Sequence, residues 1–316
     1  MTPGISVVVP TRNRPQALAS TLADLKAQEL EPDAYEIAVV DDGSEPKASV
    51  PDGVRLLRLE GRERSAARNA GARAAGAPLL LFVDDDAGLR PDFVARHLRA
   101  QAEWPGALAV GATRLTATPT PFGRFRQRLE ADQVPVARGP TSRRNFCTAQ
   151  NMSIARATFE ALGGFDEAIA CGEDQDLALR HTARGGQIVY VPEALGVHFD
   201  TALDIRSYCR RSEWGAREML PFCRKHPDWP DNLARQVVNA PPAWGREPIR
   251  RSLRKTLKTF AATAPAIAAV FWAAAVLERA APESRLLDLL YRAALGAHLT
   301  RGYREGLRRY GAPGPA

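Results

Sequence analysis

Three consecutive aspartates, Asp84, Asp85 and Asp86, follow the apolar run Leu79–Val83. An apolar run of this length after a Gly-Ala-Pro sequence is typical of a buried strand. Unpaired buried charges are too costly for a core, so we expect the carboxylates at the carboxyl edge of a sheet, where open α/β sheets bind ligands. Such a cluster favours Mg²⁺ or Mn²⁺, which usually also hold substrate phosphates. A solvated acidic turn is the alternative for this triplet alone.

A second pair of acids, Asp41 and Asp42, follows the strand-like stretch of residues 36–40 in the same way. Two strands of a predicted parallel sheet are thus each followed at once by acids, and this repetition is more informative than either group alone. Gly43 and Ser44 complete a turn sequence, and an Asx turn that closes the strand is the alternative for this pair.

Two further groups of residues could take part in chemistry at this edge. Glu173 and Asp174 begin a predicted helix, where acids in the first turn are favoured by the helix dipole and can cap the helix. Arg64 and Arg68 lie four residues apart on one helical face. Their guanidinium groups could bind a pyrophosphate, or they could form ion pairs with Glu63 or with the aspartates.

The first 200 residues predict alternating strands and helices that would hold these side chains. Strand-like runs recur at residues 5–9, 36–40, 54–59, 79–83, 107–113, 150–154 and 187–191. Helices are expected over about 15–28, 64–75, 156–162, after 91 and after 172. This alternation favours an α/β fold, a mostly parallel sheet flanked by helices with right-handed crossovers. Residues 118–144, rich in Pro, Arg and Gly, are expected to form a functional or mobile loop.

The composition is that of a globular protein, with 316 residues, 45% of them hydrophobic and 25% charged. Its four cysteines form no CxxC pair, so the sequence indicates neither a zinc site nor a disulfide framework. The first predicted strand follows the N-terminus without a signal-peptide pattern, and we therefore expect a cytoplasmic protein.

Charge is divided unevenly along the chain. Residues 1–200 carry a net −3 and residues 201–316 a net +10, which together make the +7 of the whole sequence. This asymmetry favours an acidic partner for the C-terminal part, and we expect the inner face of the cell membrane and no nucleic acid. A solvated arginine-rich helical surface is the alternative.

The stretch of residues 259–277 contains no charge and is just long enough to span a bilayer. It is mostly alanine and includes Pro265, so we expect a buried or interfacial helical hairpin in preference to a transmembrane helix. The sequence thus predicts a catalytic domain of residues 1–204 and a basic helical region of residues 205–316. That region would dock on a membrane surface, pack in a bundle or form a homodimer interface.

Five short segments of this sequence resemble, in order, the family 2 glycosyltransferases. They are Ser6-Val7-Val8-Val9-Pro10-Thr11-Arg12-Asn13, Val40-Asp41-Asp42-Gly43-Ser44, Ala67-Arg68-Asn69-Ala70-Gly71, Phe82-Val83-Asp84-Asp85-Asp86 and Gly172-Glu173-Asp174-Gln175-Asp176-Leu177. The similarity covers roughly residues 4–200 and rests on the order and spacing of the five segments. It implies a GT-A fold and an inverting, metal-dependent transfer from a nucleotide-diphosphate sugar, a function suited to cell-envelope polysaccharide biosynthesis.

The resemblance also implies roles for individual residues. Asp86 and Asp84 would bind Mn²⁺ or Mg²⁺ together with His198, although a lone histidine at a strand end is more often structural. Asp174 would be the general base, and Glu173 would hydrogen-bond the acceptor or brace the site. The nucleotide-sugar, with its base near Asp42 or Asp41 and its ribose near Asp84 or Asp85, would be bound by residues including Pro10, Thr11, Arg12, Asp41, Asp42, Arg64, Arg68, Asp84 and Asp85.

Two other functions compete with this interpretation. A nucleotidyltransferase also needs a metal and a nucleotide on an α/β sheet, but it is expected to carry a glycine-rich loop after the first strand, and residues 10–14 contain no glycine. A non-catalytic, membrane-associated sugar-nucleotide-binding protein would keep the fold without Asp84, Asp86 and Asp174. No motif specifies the sugar, the nucleotide or the acceptor, which could be a glycan, a lipid-linked glycan or a small aglycone.

Overall fold

A computed structural model of the chain describes residues 3–116, 118–131, 137–142, 147–199, 204–229 and 238–312. The chain divides into two compact units, one of residues 1–116 and 130–201 and the other of residues 117–129 and 202–316. The first unit contains the sheet, and the second is helical. The expected boundary at residue 204 between a catalytic domain and a basic helical region stays a prediction. By packing, the second unit also includes residues 117–129, which precede that boundary in the sequence.

Nine strands of the described chain form one sheet in the first unit. They are β1 (Ile5–Thr11), β2 (Tyr35–Asp42), β3 (Val54–Leu59), β4 (Leu79–Val83), β5 (Ala87–Leu89), β6 (Leu108–Leu115), β7 (Gly139–Pro140), β8 (Asn151–Ala155) and β9 (Ile188–His198). Their order is β3-β2-β1-β4-β8-β6-β9-β5, and β7 pairs with β9.

The sheet is mixed. The expected parallel arrangement holds for β3, β2, β1 and β4, so the carboxyl ends of β1, β2 and β4 meet at one edge. Strand β8 lies antiparallel between β4 and β6, and β6 pairs in parallel with β9. Because β5 immediately follows the aspartate triplet and pairs Ala87 with His198, it brings the end of β9 to the same edge.

Helices cover both faces of this sheet. They are α1 (Pro15–Lys26), α2 (Arg64–Ala74), α3 (Phe93–Glu103), α5 (Arg156–Ala161) and α6 (Glu173–Ala183), in addition to the 3-10 turn Pro32–Ala34. Successive strand residues point to opposite faces, so Val7 and Val9 pack with Leu22 of α1, whereas Val8 packs with Ala67 of α2. The unit therefore has one hydrophobic core on each face of the sheet. Strand β1 contributes side chains to both cores and is buried along its whole length.

A buried polar network ties β8 to its neighbours. His97 of α3 is hydrogen-bonded to Ser153 Oγ through Nδ1 (2.9 Å) and to Asn151 Oδ1 through Nε2 (2.8 Å). The Asn151 amide in turn donates to the carbonyl oxygens of Ala112 on β6 (2.8 Å) and Ala194 on β9 (2.9 Å). Burial lowers the pKa of His97 to about 4, so the network keeps a neutral histidine at physiological pH.

The second unit is built from helices. They are α4 (Pro121–Ala131), α7 (Ile205–Glu218), α8 (Leu220–Lys225), α9 (Ile249–Ala261), α10 (Ala264–Ala280) and α11 (Arg285–Tyr310). Its core brings Phe122 and Phe125 of α4 against Phe271 of α10 and Tyr291 of α11. Much of the expected loop of residues 118–144 is thus helix α4, and residues 132–136 and 143–144 of that stretch lie outside the described residues.

The uncharged stretch of residues 259–277 contains a break between two helices. It begins in α9, turns at Ala262 and Thr263, and continues in α10, as the expected helical hairpin requires. No single helix in the described part of the chain is long and apolar enough to cross a bilayer. Helices α9 and α10 reach that length and apolarity only together, across a bend of 76°.

Candidate active site

The aspartate triplet lies directly after β4 and is held by side chains from the neighbouring strand and helix. Thr11 Oγ1, at the end of β1, donates to Asp85 Oδ2 (2.6 Å). Arg14 reaches both Asp85 Oδ1 (3.3 Å) and Asp86 Oδ2 (2.6 Å) through Nη1. Thr21 Oγ1 of α1 donates to the backbone oxygens of Asp85 and Ala87 (both 2.9 Å) and so fixes the turn.

The structure brings together the three residues expected to bind a metal. Asp84, Asp86 and His198 each offer one ligand atom, and these atoms lie within 4.8 Å of one another. His198 Nε2 is 3.0 Å from Asp86 Oδ1, and the imidazole and the Asp86 carboxylate are both largely buried. Two carboxylates and one imidazole suit a hard divalent cation such as Mn²⁺ or Mg²⁺, so the donor set fits the expected metal.

The ionisation of Asp86 also suits a cation. Burial opposes the charged form, but the hydrogen bond and charge of His198, together with the charge of Arg14, outweigh it and lower the pKa of Asp86. For the neighbouring Asp85, burial prevails over the hydrogen bond from Thr11 and raises the pKa to about 6. Adjacent carboxylates in one turn thus ionise differently because their partners differ.

Arg68 connects the triplet to the first turn of α6. Its side chain is buried, and it donates from Nη2 to Asp84 Oδ1 (2.8 Å) and from Nη1 to Glu173 Oε1 (3.0 Å). The ion pair with the aspartates, one of the two roles considered for Arg68, is therefore formed. Arg64, by contrast, is exposed at the start of α2.

Asp174 is the carboxylate in this first turn that is suited to accept a proton. Its side chain is half-buried, Oδ2 accepts from the Ala149 amide (3.3 Å), and Oδ1 accepts from the Gln175 amide (2.9 Å). Burial and the negative charge of Glu173 raise its pKa to about 7, although Arg68 acts in the opposite direction. A carboxylate with such a pKa is a far better proton acceptor than an exposed aspartate.

The acids at the end of β2 order the loops beside them. Asp41 is fully buried and accepts from the amides of Ser44 (2.8 Å) and Ala48 (3.0 Å) and from Arg58 Nη1 (2.6 Å). Burial opposes ionisation of Asp41, but these donors outweigh it and lower its pKa. The turn-closing role considered for this segment is therefore present for Asp41.

Asp42 receives two backbone hydrogen bonds from the loop that leads into α2. Its oxygens accept from the amides of Arg62 (2.6 Å) and Glu63 (2.9 Å), and the half-exposed Arg12 guanidinium lies 3.9 Å away. Pro10 is buried within β1, and Thr11 faces the triplet. The predicted nucleotide-binding residues of β1 and β2 thus lie at one edge, and their roles stay predictions.

Sequence reasoning missed Arg14 and Thr21. Arg14 follows β1, and β1 pairs with β4, so a cation in the turn after β1 must lie near the acids after β4. That adjacency could have identified Arg14. Thr21 gave no comparable signal, because a threonine within an amphipathic helix is compatible with simple packing.

Comparisons with known proteins show what this chain is similar to. The family described as Glycosyl transferase family 2 matches residues 6–162. The chain is 29% identical over 282 residues to validoxylamine A glucosyltransferase of Streptomyces hygroscopicus subsp. limoneus, covering 75% of this chain and 60% of that protein. It is 26% identical over 235 residues to a pre-mycofactocin glycosyltransferase of Mycobacterium tuberculosis, covering 71% and 48%. The chain therefore spans about half the length of these relatives.

A solved structure has the same fold. A mannosyltransferase from Pyrobaculum calidifontis in complex with GDP-Man and Mn²⁺ superposes with a TM-score of 0.59 at 18% identity, covering 96% of this chain and 88% of that one. The expected GT-A fold, an α/β sheet flanked by helices and followed by C-terminal helices, is confirmed.

Proposed function

Because this chain belongs to glycosyltransferase family 2, we propose that it is an inverting enzyme that transfers a sugar from a nucleotide-diphosphate sugar to a hydroxyl acceptor. The observation that carries the proposal is the link through Arg68. This buried residue binds Asp84 of the metal cluster and Glu173, the neighbour of Asp174. One buried cation thus joins the helix turn that carries the proposed base to a carboxylate that would help to hold the metal.

In the proposed reaction, the ionised Asp174 removes the proton of the acceptor hydroxyl as its oxygen attacks the anomeric carbon. The bond from that carbon to the diphosphate oxygen breaks, and its electron pair leaves with the nucleoside diphosphate. A single displacement of this kind inverts the anomeric configuration. Glu173 braces the base, because its carboxylate is fixed by Arg68.

Asp84, Asp86 and His198 would hold the divalent cation, with Mn²⁺ and Mg²⁺ as the candidates. When bound, the cation supplies Lewis-acid stabilisation to the negative charge of the leaving group. Arg14 orients Asp86 and Asp85 from the side of β1, and Thr11 fixes the Asp85 carboxylate that would contact the ribose.

For the nucleotide, we propose a site built from Pro10, Thr11, Arg12, Asp42 and Arg64. Asp42 is a better candidate than Asp41 for the base, since the Asp41 carboxylate is fully buried and already accepts from three donors. The solved relatives include complexes with GDP-Man and with UDP, and either base is compatible with a hydrogen-bonding carboxylate at this edge.

The acceptor is proposed to be a hydroxyl of a glycan, a lipid-linked glycan or a small aglycone. The relatives include proteins named for O-antigen biosynthesis and for validoxylamine A glucosylation, which support both large and small acceptors.

The test is calorimetric binding of UDP and GDP with and without Mn²⁺. We expect binding that requires the metal in the native chain and is lost in Asp86→Ala, because the cation connects protein and phosphates. Asp52→Ala removes an exposed acid from a turn and should bind as the native protein does. Unchanged affinity in Asp86→Ala, with an unchanged melting temperature, would refute the metal assignment.

A second measurement separates an enzyme from a binding protein. Incubation of the UDP- or GDP-sugar with Mn²⁺ and no acceptor should release nucleoside diphosphate slowly, as water replaces the acceptor. A chain that binds the donor and never releases nucleoside diphosphate would support the non-catalytic alternative.

A further inference from the structure

Helix α9 carries an apolar stripe that faces solvent. Ile249, Leu253, Leu257 and Phe260 recur at intervals of four, four and three residues, which places them on one face of a helix. Their exposed fractions are 73%, 53%, 63% and 73%. Single exposed apolar residues are common on soluble proteins, but four in line along one helix mark an interaction surface.

The opposite side of α9 explains why this stripe points outward. Glu247 accepts from Ser252 Oγ (2.8 Å) and from Lys255 Nζ (2.7 Å), and both of these residues are buried. Because Ser252 and Lys255 are buried, the side of α9 that carries them is covered by the rest of the protein. The polar face of α9 is therefore its packing face, and the apolar face is left exposed.

Cations border the stripe. Arg250 and Arg254 each follow a stripe residue and lie four apart, so they form a row beside it, and Arg251 lies further round the helix. All three are exposed, and within the described residues none forms an ion pair with a carboxylate. Burial and the nearby charges of Arg254 and Arg304 lower the pKa of Lys258, which indicates a local excess of positive charge.

The same cations line a cavity. Arg250, Arg251, Arg254, Lys255 and Val238 surround a space of about 290 Å³. Lys255 is already paired with Glu247, so Arg250, Arg251 and Arg254 are the side chains there that could bind an anionic group such as a phosphate.

The next helix also exposes large apolar side chains. Trp272 of α10 is 71% exposed, and Val276, one turn later on the same face, is exposed too. Tryptophan is favoured at the boundary between lipid and water, because its ring is apolar and its N–H can bond to water or to a headgroup.

From these observations we propose that helix α9, with Trp272 of α10, docks on the surface of an anionic phospholipid bilayer. The stripe of Ile249, Leu253, Leu257 and Phe260 would enter the boundary between headgroups and acyl chains, and Arg250, Arg251 and Arg254 would bind lipid phosphates. This inference does not depend on the proposed sugar transfer.

The charges favour a bilayer over the other partners of such a stripe. A two-fold contact between two copies would bring the arginine rows of both α9 helices close to one shared interface, where like charges repel. A span through the bilayer would place the five cations of α9 in hydrocarbon, which is costly. A helix lying in the interface keeps the stripe in lipid and the arginines at the headgroups.

Co-sedimentation with phosphatidylcholine vesicles, prepared with and without phosphatidylglycerol, tests the proposal. We expect the full-length chain to bind the anionic vesicles at low salt and to bind less at high salt, since salt screens only the electrostatic part. Arg250→Gln/Arg251→Gln/Arg254→Gln should lower the partition coefficient on the order of 100-fold, because each cation contributes near an anionic surface.

The apolar part is tested separately. Leu257→Ser/Phe260→Ser should lower the partition coefficient by about 10-fold to 100-fold, and this loss should persist at high salt. Arg73→Gln/Arg99→Gln removes two exposed arginines from helices of the first unit and should bind vesicles as the native chain does. Both α9 variants replace exposed side chains, so melting temperatures should be unchanged.

Three results would overturn the proposal. The native chain could stay in the supernatant with anionic vesicles at low salt, or the triple arginine variant could bind as well as the native chain. Analytical ultracentrifugation without lipid could also show a dimer that Leu257→Ser/Phe260→Ser dissociates, which would assign the stripe to self-association. Donor hydrolysis measured on the same variants reports separately on the proposed reaction.

Discussion

The pH dependence of turnover offers a direct test of the role of Asp174. The pKa of this carboxyl is raised from 3.8 to about 7, mainly by burial and then by the charge of Glu173. A base must be ionised to accept a proton, so turnover should fall as pH falls through the raised pKa. The ionised fraction drops to about one tenth at one pH unit below it and about one hundredth at two, so we expect about 10-fold and 100-fold losses. An aspartate with an unperturbed pKa would stay almost fully ionised over these two pH units, so turnover would hardly fall.

The assay is the initial rate of nucleoside diphosphate release at saturating donor, with protein fluorescence recorded at each pH to show that the chain stays folded. Glu173→Gln removes the charge that helps to raise the pKa of Asp174, so the acidic limb should move to lower pH. Asp174→Asn should reduce turnover by about 10²-fold to 10⁴-fold and abolish the limb, with little change in donor affinity. A limb that stays at about pH 7 in Asp174→Asn, or a loss of donor binding with near-native turnover, would place the base elsewhere, whereas a residual limb near pH 6 would be assigned to Asp85.

Other substitutions test the packing that supports the site. Arg68→Met leaves the carboxylates of Asp84 and Glu173 without their buried cation and should lower the free energy of unfolding in urea by about 3–5 kcal/mol. A decrease below about 1 kcal/mol would show that solvent replaces the cation. Gly71→Ala should destabilise by about 1–3 kcal/mol, because its Cβ would lie 2.3 Å from a valine methyl of β1. Gly296→Ala, within α11 and with open space around the new methyl, should instead stabilise by about 0.5–1 kcal/mol, and the same sign for both variants would contradict the packing argument.

The sequence was sufficient for the strands that carry the site and insufficient for the direction of one of them. The apolar runs before Asp41 and Asp84 predict β2 and β4 because a buried strand needs no partner information to be recognised. The run at Asn151 predicts a strand equally well, but its antiparallel direction between β4 and β6 depends on the chain path. Helix α4 was missed because its arginines and Gly123 conceal the Phe122 and Phe125 face that packs in the second unit.

The candidate site could likewise be predicted only in part from the sequence. The types of Asp84, Asp86 and His198 suggested a metal cluster, and their closeness depends on β5 pairing with β9, a pairing that three residues of sequence cannot indicate. For Arg68 the sequence left pyrophosphate binding and an ion pair open, because only the fold shows that Asp84 and Glu173 lie within reach of its guanidinium group. For residues 259–277 the sequence predicts a buried or interfacial helical hairpin, and the structure has a break between two helices there. The sequence did not indicate the exposed stripe of α9, because the polarity of a helix alone does not say which of its faces packs.

The hydrogen-bond network around His97 has a consequence for redesign. Residues 149–151 form one short run in which the Ala149 amide holds Asp174 and the Asn151 side chain holds Ala194, four residues before His198 on β9. Asn151 is also paired with Val83, the residue before the triplet. The proposed proton acceptor and the candidate metal ligand His198 are thus both tied to β8 and the residues just before it, so a substitution that shifts β8 should move both together. Laboratory evolution towards a new acceptor should therefore leave these three positions untouched and diversify loops that make no hydrogen bond to them.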